Sequence, residues 1–273
     1  MGLPGAFCVF IRHYLLAVQF FTRIPVTGRL AAWTGFSPAL LRASAAHFPG
    51  IGWIVGTAAC AVYALAAWLW GGGAFVPLAA AAASTAATVL LTGAFHEDGL
   101  ADVADGLGAT RDPARALDIM KDSRIGAFGA LALVLAVVCK LALLAVLGAH
   151  GTPAVLAALA GAHVLSRFWP LLVVRSLPHV GDSARSKSKP LADRIGGGAL
   201  WAAAAWCLLP LALVGYGQGL AFLGAAVLAS GLALAGMRRL FARRLGGFTG
   251  DCLGAVQQVC EIAFYAGAAA ALR

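Results

Sequence analysis

Residues 127–148 read AFGALALVLAVVCKLALLAVLG, and Lys140 carries the only charged side chain among them. A helix needs ~20 predominantly apolar residues to cross the hydrocarbon core of a bilayer. This stretch is therefore predicted to cross a membrane as an α-helix, and it decides the fold class.

The remainder of the chain has the same apolar character. Of its 273 residues, 61% are hydrophobic and 11% are charged, and the mean hydropathy is +0.87. Soluble domains carry about 25% charged residues, so the composition excludes that class. Six further apolar stretches have spanning length, namely 51–71, 74–95, 153–175, 199–216, 219–237 and 253–272. We predict an all-α integral membrane protein with about seven transmembrane helices, forming a single membrane-embedded domain over residues 1–273.

The N-terminal apolar stretch, FCVFIRHYLLAVQFF (7–21), is interrupted by Arg12 and His13. This pattern favours an interfacial or re-entrant helix over a crossing. The preceding residues lack the basic region of a cleavable signal peptide. Six scattered cysteines without a CxxC pair indicate small apolar packing residues, and neither a zinc site nor a disulfide framework is expected.

The net charge of +9 is distributed according to membrane topology. Lysine and arginine occur before residue 51 and in 96–126, 176–198 and 238–252, whereas the connections 71–73, 150–152 and 217–219 carry none. Cytoplasmic loops are enriched in lysine and arginine. We therefore predict a cytoplasmic N-terminus and cytoplasmic basic loops. The basicity sets orientation, so a nucleic-acid partner is not expected.

Seven of the 11 acidic residues lie between Glu97 and Asp122, and the densest part is HEDGLADVADG (96–106). If the second span continues as a helix past Phe95, the acids Asp98, Asp102 and Asp105 fall within about 60° of one another. That helix is expected to end at the Gly106/Gly108 pair.

A second acidic arm follows. Asp112 and Pro113 are typical of a helix start, and the helix PARALDIMKDSR (113–124) would place Asp118 and Asp122 on one face. Like charges at this spacing repel, whereas Mg²⁺ binds through a few carboxylates together with phosphates and water. Both arms are therefore predicted to hold Mg²⁺. The alternative is a solvated loop whose acids pair with neighbouring bases.

Six motifs resemble one enzyme family over nearly the whole chain. They are FFTRIPV (20–26), HFPGIGWIVG (47–56), HEDGLADVADG (96–106), IMKDSRIGAFGA (119–130), SRFWPLL (166–172) and GGFTGDCLGAVQQVCE (246–261). The sequence is similar to the adenosylcobinamide-GDP ribazoletransferases, or cobalamin synthases, of bacterial inner membranes. The resemblance implies a multi-pass catalytic domain whose active site faces the cytoplasm. The implied reaction joins adenosylcobinamide-GDP to α-ribazole, or its 5′-phosphate, and releases GMP.

The acidic segment is also similar to the paired metal-binding helices of CDP-alcohol phosphotransferases. Asp102, Asp105, Gly106 and Ala109 match the first half of that signature, but Thr110 replaces its arginine. Asp118 and Asp122 match the end, although Ala114 stands where the signature has glycine. With these resemblances, the expected Mg²⁺ ligands are Glu97, Asp98, Asp102, Asp105, Asp118 and Asp251, and the expected base is Asp122. Substrate contacts are assigned to Arg23, Arg111, Lys121, Ser123, Arg124, Arg167, Lys187 and Lys189.

Several alternatives stay open at this point. Asp251 could instead cap the last helix, and Glu261, deep in that helix, could pair with Lys140 or with Arg167. His163 lies one turn before Arg167, so both could face the substrate or tie helices together. The rival functions are a CDP-alcohol phosphotransferase of lipid synthesis and, with less support, a cation transporter. The sequence leaves homo-oligomerisation open.

Overall fold

The computed structural model describes residues 5–181 and 195–272, and regular structure in these residues is helical apart from one isolated bridge between His179 and Phe248. The helices are α1 (Gly5–Phe21), α2 (Gly28–Thr34), α3 (Pro38–Ser44), α4 (Phe48–Trp70), α5 (Val76–Thr92), α6 (Phe95–Ala109), α7 (Pro113–Ile119), α8 (Ala127–Ala149), α9 (Thr152–Ser176), α10 (Gly197–Gln218), α11 (Leu220–Arg244) and α12 (Gly250–Ala270). A 3₁₀ turn, Ala45–His47, joins α3 to α4.

Five helical segments of the described chain are long and apolar enough to cross a membrane. They are Pro38–Trp70, Ala127–Ala149, Thr152–Ser176, Gly197–Gln218 and Leu220–Arg244. A sixth is obtained if α5 and α6, which meet at 90°, are taken as one broken span. The all-helical membrane fold is therefore confirmed, while the predicted count of about seven crossings is not.

Helix α12 accounts for part of this difference. Its 21 residues include Asp251, Gln257, Gln258 and Glu261, which lower its hydropathy. The helix packs against α6, α8, α9 and α11 and is buried along most of its length. Polar side chains are tolerated there because they find partners inside the protein. All six cysteines are free, and three of them, Cys207, Cys252 and Cys260, are buried as the packing prediction expects.

The prediction that the second span continues as a helix past Phe95 is wrong. The chain breaks at Gly93 and Ala94, whose φ angles are +69° and +58°. Such angles end an α-helix and are tolerated best by glycine. A side chain at position 93 would also collide with the guanidinium of Arg23. The acids of α6 therefore lie on a separate helix, turned by 90° from α5.

The second acidic arm is also shorter than predicted. Asp112 caps α7 through Ala114 N and Arg115 N, as expected, but the helix ends at Ile119. Beyond it, the carboxylate of Asp122 accepts the backbone N–H of Arg124, which bends the chain into a turn. Asp118 and Asp122 consequently do not share a helical face. The first arm, by contrast, extends slightly past Gly106 and Gly108, to Ala109.

The described part of helix α1 has 17 residues, fewer than the ~20 that usually cross a bilayer. It packs against α2, α3 and α4. After it, the backbone N–H of Arg23 donates to Leu91 O at the helix break, at 2.7 Å. The ring of Phe21 stacks on Phe48 at 4.2 Å, and Phe48 stacks on His96 at 5.7 Å. The N-terminal segment thus contacts both sides of the break that starts the acidic helix.

Candidate active site

The acidic helix α6 and the last helix α12 meet in close backbone contact. A Cβ at Gly99 would lie 2.7 Å from the carbonyl oxygen of Asp251, so only glycine fits there. Thr249 caps α12 by accepting the N–H of Cys252, and Asp251 lies in the first turn. The alternative of Asp251 as the N-cap is therefore wrong, and one oxygen of its carboxylate, Oδ2, accepts the hydroxyl of Thr249 at 3.3 Å.

Three carboxylates form what we call the acid face: Asp98 and Asp102 on α6, and Asp251 on α12. The carboxylate of Asp102 lies in the repulsive field of Asp98, Asp105 and Asp251, and that of Asp251 in the field of Asp98. Within residues 5–181 and 195–272, no lysine or arginine forms an ion pair with any member of the face. Negative charge is therefore concentrated here without an ion-paired counter-charge from the described part of the chain.

Chemically, the acid face fits a hard divalent cation. Oxygen-only ligands and uncompensated negative charge are what Mg²⁺ requires, and this ion usually keeps several waters and binds substrate phosphates. Among residues 5–181 and 195–272, no group of three or more His, Cys, Asp or Glu side chains is placed so that it could hold a metal ion. An ion at the acid face would therefore need water and substrate phosphates to complete its ligands.

Asp105 differs from the acid face although it was predicted to share it. Its two carboxylate oxygens accept the backbone N–H groups of Gly126 at 2.7 Å and Gly129 at 2.8 Å. These two residues form the start of α8, where the helix dipole favours a negative charge. Asp105 is buried and fastens α6 to α8, so both oxygens already have partners.

The acids of the second arm lie at the surface and pair with neighbouring bases. Asp118 is 3.7 Å from Lys121, and Asp122 is 2.6 Å from Arg124. Hydrogen bonds from Arg124 lower the pKa of Asp122 to about 2. A carboxylate with so low a proton affinity is a weak general base. The assignment of Asp122 as the base stays untested, but its surroundings do not support it.

The predicted substrate contacts are dispersed. Arg111 and Ser123 are exposed in the connections before and after α7, and Arg23 is exposed beside the helix break. Lys121 and Arg124 form the ion pairs with Asp118 and Asp122 described above. Arg167 is instead buried inside the bundle, where it donates to His163 O at 2.8 Å. Of the two alternatives for His163 and Arg167, the structure favours tying helices together, because His163 Nδ1 lies 3.5 Å from Glu261 on α12 and the Arg167 guanidinium lies over the ring of Phe48 on α4. Lys187 and Lys189 lie outside the described residues.

Deep in the bundle a network of polar side chains joins α6, α8 and α12. Glu261 pairs with Lys140 at 2.5 Å, which resolves the alternative left open by the sequence, and it also accepts from Tyr265 and Gln257. Gln257 is followed by Gln258, whose amide donates to Glu97 Oε1 at 3.1 Å. Glu97, a predicted metal ligand, is therefore connected to this network.

Sequence reasoning missed three contributors to the site. Gln257 and Gln258 were not assigned a role. Two adjacent glutamines in an apolar helix nevertheless indicate a buried polar contact, because a buried amide requires hydrogen-bond partners. Arg244 was treated as a topology marker only. Its guanidinium donates to Leu107 O and Thr110 O, at 3.0 and 2.6 Å, and so caps the C-terminal end of α6.

Comparison with known proteins identifies the family. The sequence profile described as "Cobalamin-5-phosphate synthase" matches residues 13–269. A protein of Polaromonas naphthalenivorans named "Adenosylcobinamide-GDP ribazoletransferase" is 62% identical over 96% of this chain and 99% of its own length. Proteins with the same name from Albidiferax ferrireducens and Leptothrix cholodnii are 60% and 45% identical, over 96% and 94% of this chain and 99% and 94% of their own lengths. No solved structure matches the chain. The resemblance seen in the motifs is thus confirmed, and the chain belongs to the cobalamin-5-phosphate synthase family.

Proposed function

We propose that this protein is an adenosylcobinamide-GDP ribazoletransferase that acts at the acid face. The observation that carries the proposal is the acid face itself, Asp98, Asp102 and Asp251, in a chain that matches enzymes of that name over nearly its full length. A substrate with a pyrophosphate needs a site able to neutralise concentrated negative charge. Uncompensated carboxylates that can recruit a divalent cation supply such a site.

The reaction is a phosphoryl transfer. The ribose 3′-hydroxyl oxygen of α-ribazole, or of its 5′-phosphate, attacks the phosphorus that carries the aminopropanol arm of adenosylcobinamide-GDP. One P–O bond forms, the P–O bond to the second phosphate breaks, and GMP leaves with the bridging oxygen. The hydroxyl proton passes to a carboxylate or to water. The protein contributes mainly positioning and charge stabilisation.

We further propose that the enzyme depends on Mg²⁺ held by Asp98, Asp102 and Asp251. When bound, the ion would neutralise phosphate oxygens as charge develops on them. The rigid contact between α6 and α12 at Gly99 keeps the three carboxylates together. Asp105, Asp118 and Glu97 were also predicted to bind metal. In the structure Asp105 accepts two backbone N–H groups, Asp118 lies beside Lys121, and Glu97 accepts from Gln258.

The proposed location is the bacterial inner membrane, with the acid face open to the cytoplasm. Support comes from nearby basic residues: Arg111 follows α6, Arg124 follows α7, and Arg244 caps α6 from the end of α11. Lysine and arginine mark cytoplasmic loops. The substrates are water-soluble nucleotides, so they would reach this side without crossing the bilayer.

An assay with the protein in proteoliposomes tests the function. Adenosylcobinamide-GDP and α-ribazole should yield GMP and the joined product, the rate should vanish when divalent cations are chelated, and Mg²⁺ should restore it. Running α-ribazole and its 5′-phosphate in parallel identifies the acceptor. Release of CMP from a CDP-alcohol, without GMP release, would instead indicate the lipid-synthesis alternative.

Topology is tested by labelling single cysteines from outside intact cells, in a background without the native cysteines. A cysteine at Gln218, the last residue of α10, should react with a membrane-impermeant reagent. A cysteine at Arg111, beside the acid face, should react only after the membrane is permeabilised. The opposite pattern would place the acid face outside the cell and contradict the proposed orientation.

A further inference from the structure

A small cavity lies between α5, α6, α8 and α12, next to the acidic helix. Its volume is about 20 Å³, and its polar lining consists of Thr85, Glu97, Lys140 and Gln258. Two of the buried atoms at this place, Thr85 Oγ1 and Glu97 Oε2, have no hydrogen-bond partner within the described chain. Buried polar groups are almost always paired, so two unpaired atoms around one cavity require an explanation.

The deep network fixes how Glu97 is presented to this cavity. Because the carboxylate of Glu261 can only accept, Gln257 must turn its amide nitrogen to it, at 2.6 Å. Gln257 then offers its carbonyl to Gln258 Nε2 at 2.9 Å, and the same nitrogen donates to Glu97 Oε1 at 3.1 Å. The direction of every bond is thus set by the buried ion pair with Lys140. Oε1 of Glu97 is occupied, and Oε2 is the free oxygen.

The size and chemistry of the cavity fit one water molecule. A buried water needs roughly 10–15 Å³ and two to four polar partners. Glu97 Oε2 would accept a hydrogen bond from it, Thr85 Oγ1 would donate or accept, and the ammonium of Lys140 has three hydrogens of which Glu261 takes one. A metal ion fits less well, because the ammonium lines the same small space.

We propose that this cavity binds one water molecule that bridges Glu97, Thr85 and Lys140, and that Glu97 is a positioning residue rather than a metal ligand. With both carboxylate oxygens engaged, Glu97 fastens the start of α6 to α5, α8 and α12. On the helix Glu97 lies about 100° around from Asp98. It therefore holds α6 in place from a side of the helix that differs from the acid face. The claim that Glu97 positions the acid face rather than binding metal rests on the proposed function. The claim that the cavity binds a water molecule does not.

Metal affinity separates positioning from ligation. The probe is Mn²⁺ alone, measured by its EPR signal with the purified protein in nanodiscs. Glu97→Gln keeps an acceptor for Gln258 and a polar group in the cavity, so its affinity should stay within about threefold of wild type. Glu97→Met loses both contacts and should bind Mn²⁺ about 10–100-fold more weakly, the range seen when support for metal ligands is removed. Equal losses for Glu97→Gln and Asp102→Asn would make Glu97 a ligand and overturn the positioning role.

Thermal unfolding tests the water independently of any metal. Thr85→Val and Glu97→Met should each lower the melting temperature, and Thr85→Val should cost much less in the Glu97→Met background, because the bridging water is already lost. Thr88 is the matched control: it lies on the same helix, but its hydroxyl bonds Thr85 O and does not line the cavity. Thr88→Val should therefore be additive with Glu97→Met.

The melting temperatures test the bound water, and the Mn²⁺ affinities test the positioning role of Glu97. Additive effects of Thr85→Val and Glu97→Met would show that the two residues share no water, whatever the metal results. If wild-type protein fails to bind Mn²⁺, the proposed Mg²⁺ dependence is wrong, and the water is still judged from the melting temperatures. If Glu97→Met does not fold, Thr85→Ser provides the test: it keeps the hydroxyl and should retain more of the wild-type melting temperature than Thr85→Val, and an equal loss for both variants would contradict the water.

Discussion

Two acidic arms, α6 and the segment 112–124, share one spacing of aspartates but have different surroundings. Both carry aspartates four residues apart, Asp98 with Asp102 and Asp118 with Asp122. In the first arm the carboxylates face another carboxylate, Asp251, across the contact with α12. In the second arm they lie at the surface beside Lys121 and Arg124 and pair with them.

The contrast teaches that spacing alone does not make a metal site. A carboxylate that already has a cation or backbone donors gains little from Mg²⁺, whereas carboxylates that repel one another gain much, because the ion removes the repulsion. What distinguishes the arms is the partner that the fold brings to each. For the first arm that partner is Asp251, which is 149 positions after Asp102 in sequence.

The largest effect is expected from removing a charge of the acid face. Asp102→Asn should lower turnover by about a hundredfold to a thousandfold, because the pyrophosphate charge is then left poorly compensated. Asp251→Asn should behave alike. The measurement is the rate of GMP release under saturating substrates and Mg²⁺, with the melting temperature as a control for folding.

Asp118→Asn is the matched comparison from the second arm. Asp118 has 77% of its side chain exposed, and its pair with Lys121 is a surface contact. Such pairs contribute little, so turnover should stay within about fivefold of wild type. Equal losses for Asp102→Asn and Asp118→Asn would mean that both arms bind the metal, as the sequence alone predicts.

A smaller effect, on stability rather than on chemistry, is expected at Asp105. Asp105→Asn places an amide where one carboxylate oxygen now accepts a backbone N–H, so one donor at the start of α8 loses its partner. The free energy of unfolding should fall by about 1–3 kcal/mol, seen as a lower melting temperature. Asp112→Asn is the control, because asparagine caps a helix as well as aspartate does. An unchanged melting temperature for Asp105→Asn, with lost Mn²⁺ binding, would make Asp105 a ligand.

Much of the fold follows from the sequence, because length and apolar composition determine which helices can cross a bilayer. The helix start at Asp112 was predictable from local chemistry. The break at Gly93 was not, since an apolar run reads the same whether it is straight or bent by 90°. The structural role of Asp105 could not be predicted either, because its partners are backbone N–H groups more than twenty residues away in sequence.

The sequence predicted which acidic residues could contribute to the site, but not which of them lie together. The acids Asp98, Asp102 and Asp251 were all identified as metal candidates from the sequence, and the structure brings them together. The helical face assumed for Asp118 and Asp122 failed because the chain turns after Ile119, where Asp122 accepts the N–H of Arg124. Periodicity predicts faces only as long as the helix lasts.

The smallest effect is expected at Asp122, and it decides between the two interpretations of the second arm. Arg124 holds the pKa of Asp122 at about 2, so the carboxylate stays ionised at every pH at which the enzyme would be assayed. If Asp122 only orders the turn after α7, Asp122→Asn should keep kcat within about threefold, since exposed ion pairs have minor effects. Its pH–rate profile should have the wild-type shape. Arg124→Ala, measured alongside, removes the other partner of the same ion pair and should give a similarly small change in kcat. A large loss of kcat in Asp122→Asn with unchanged substrate Kd, and no such loss in Arg124→Ala, would instead identify Asp122 as the base. The turn would then have to open toward the acid face when substrate binds.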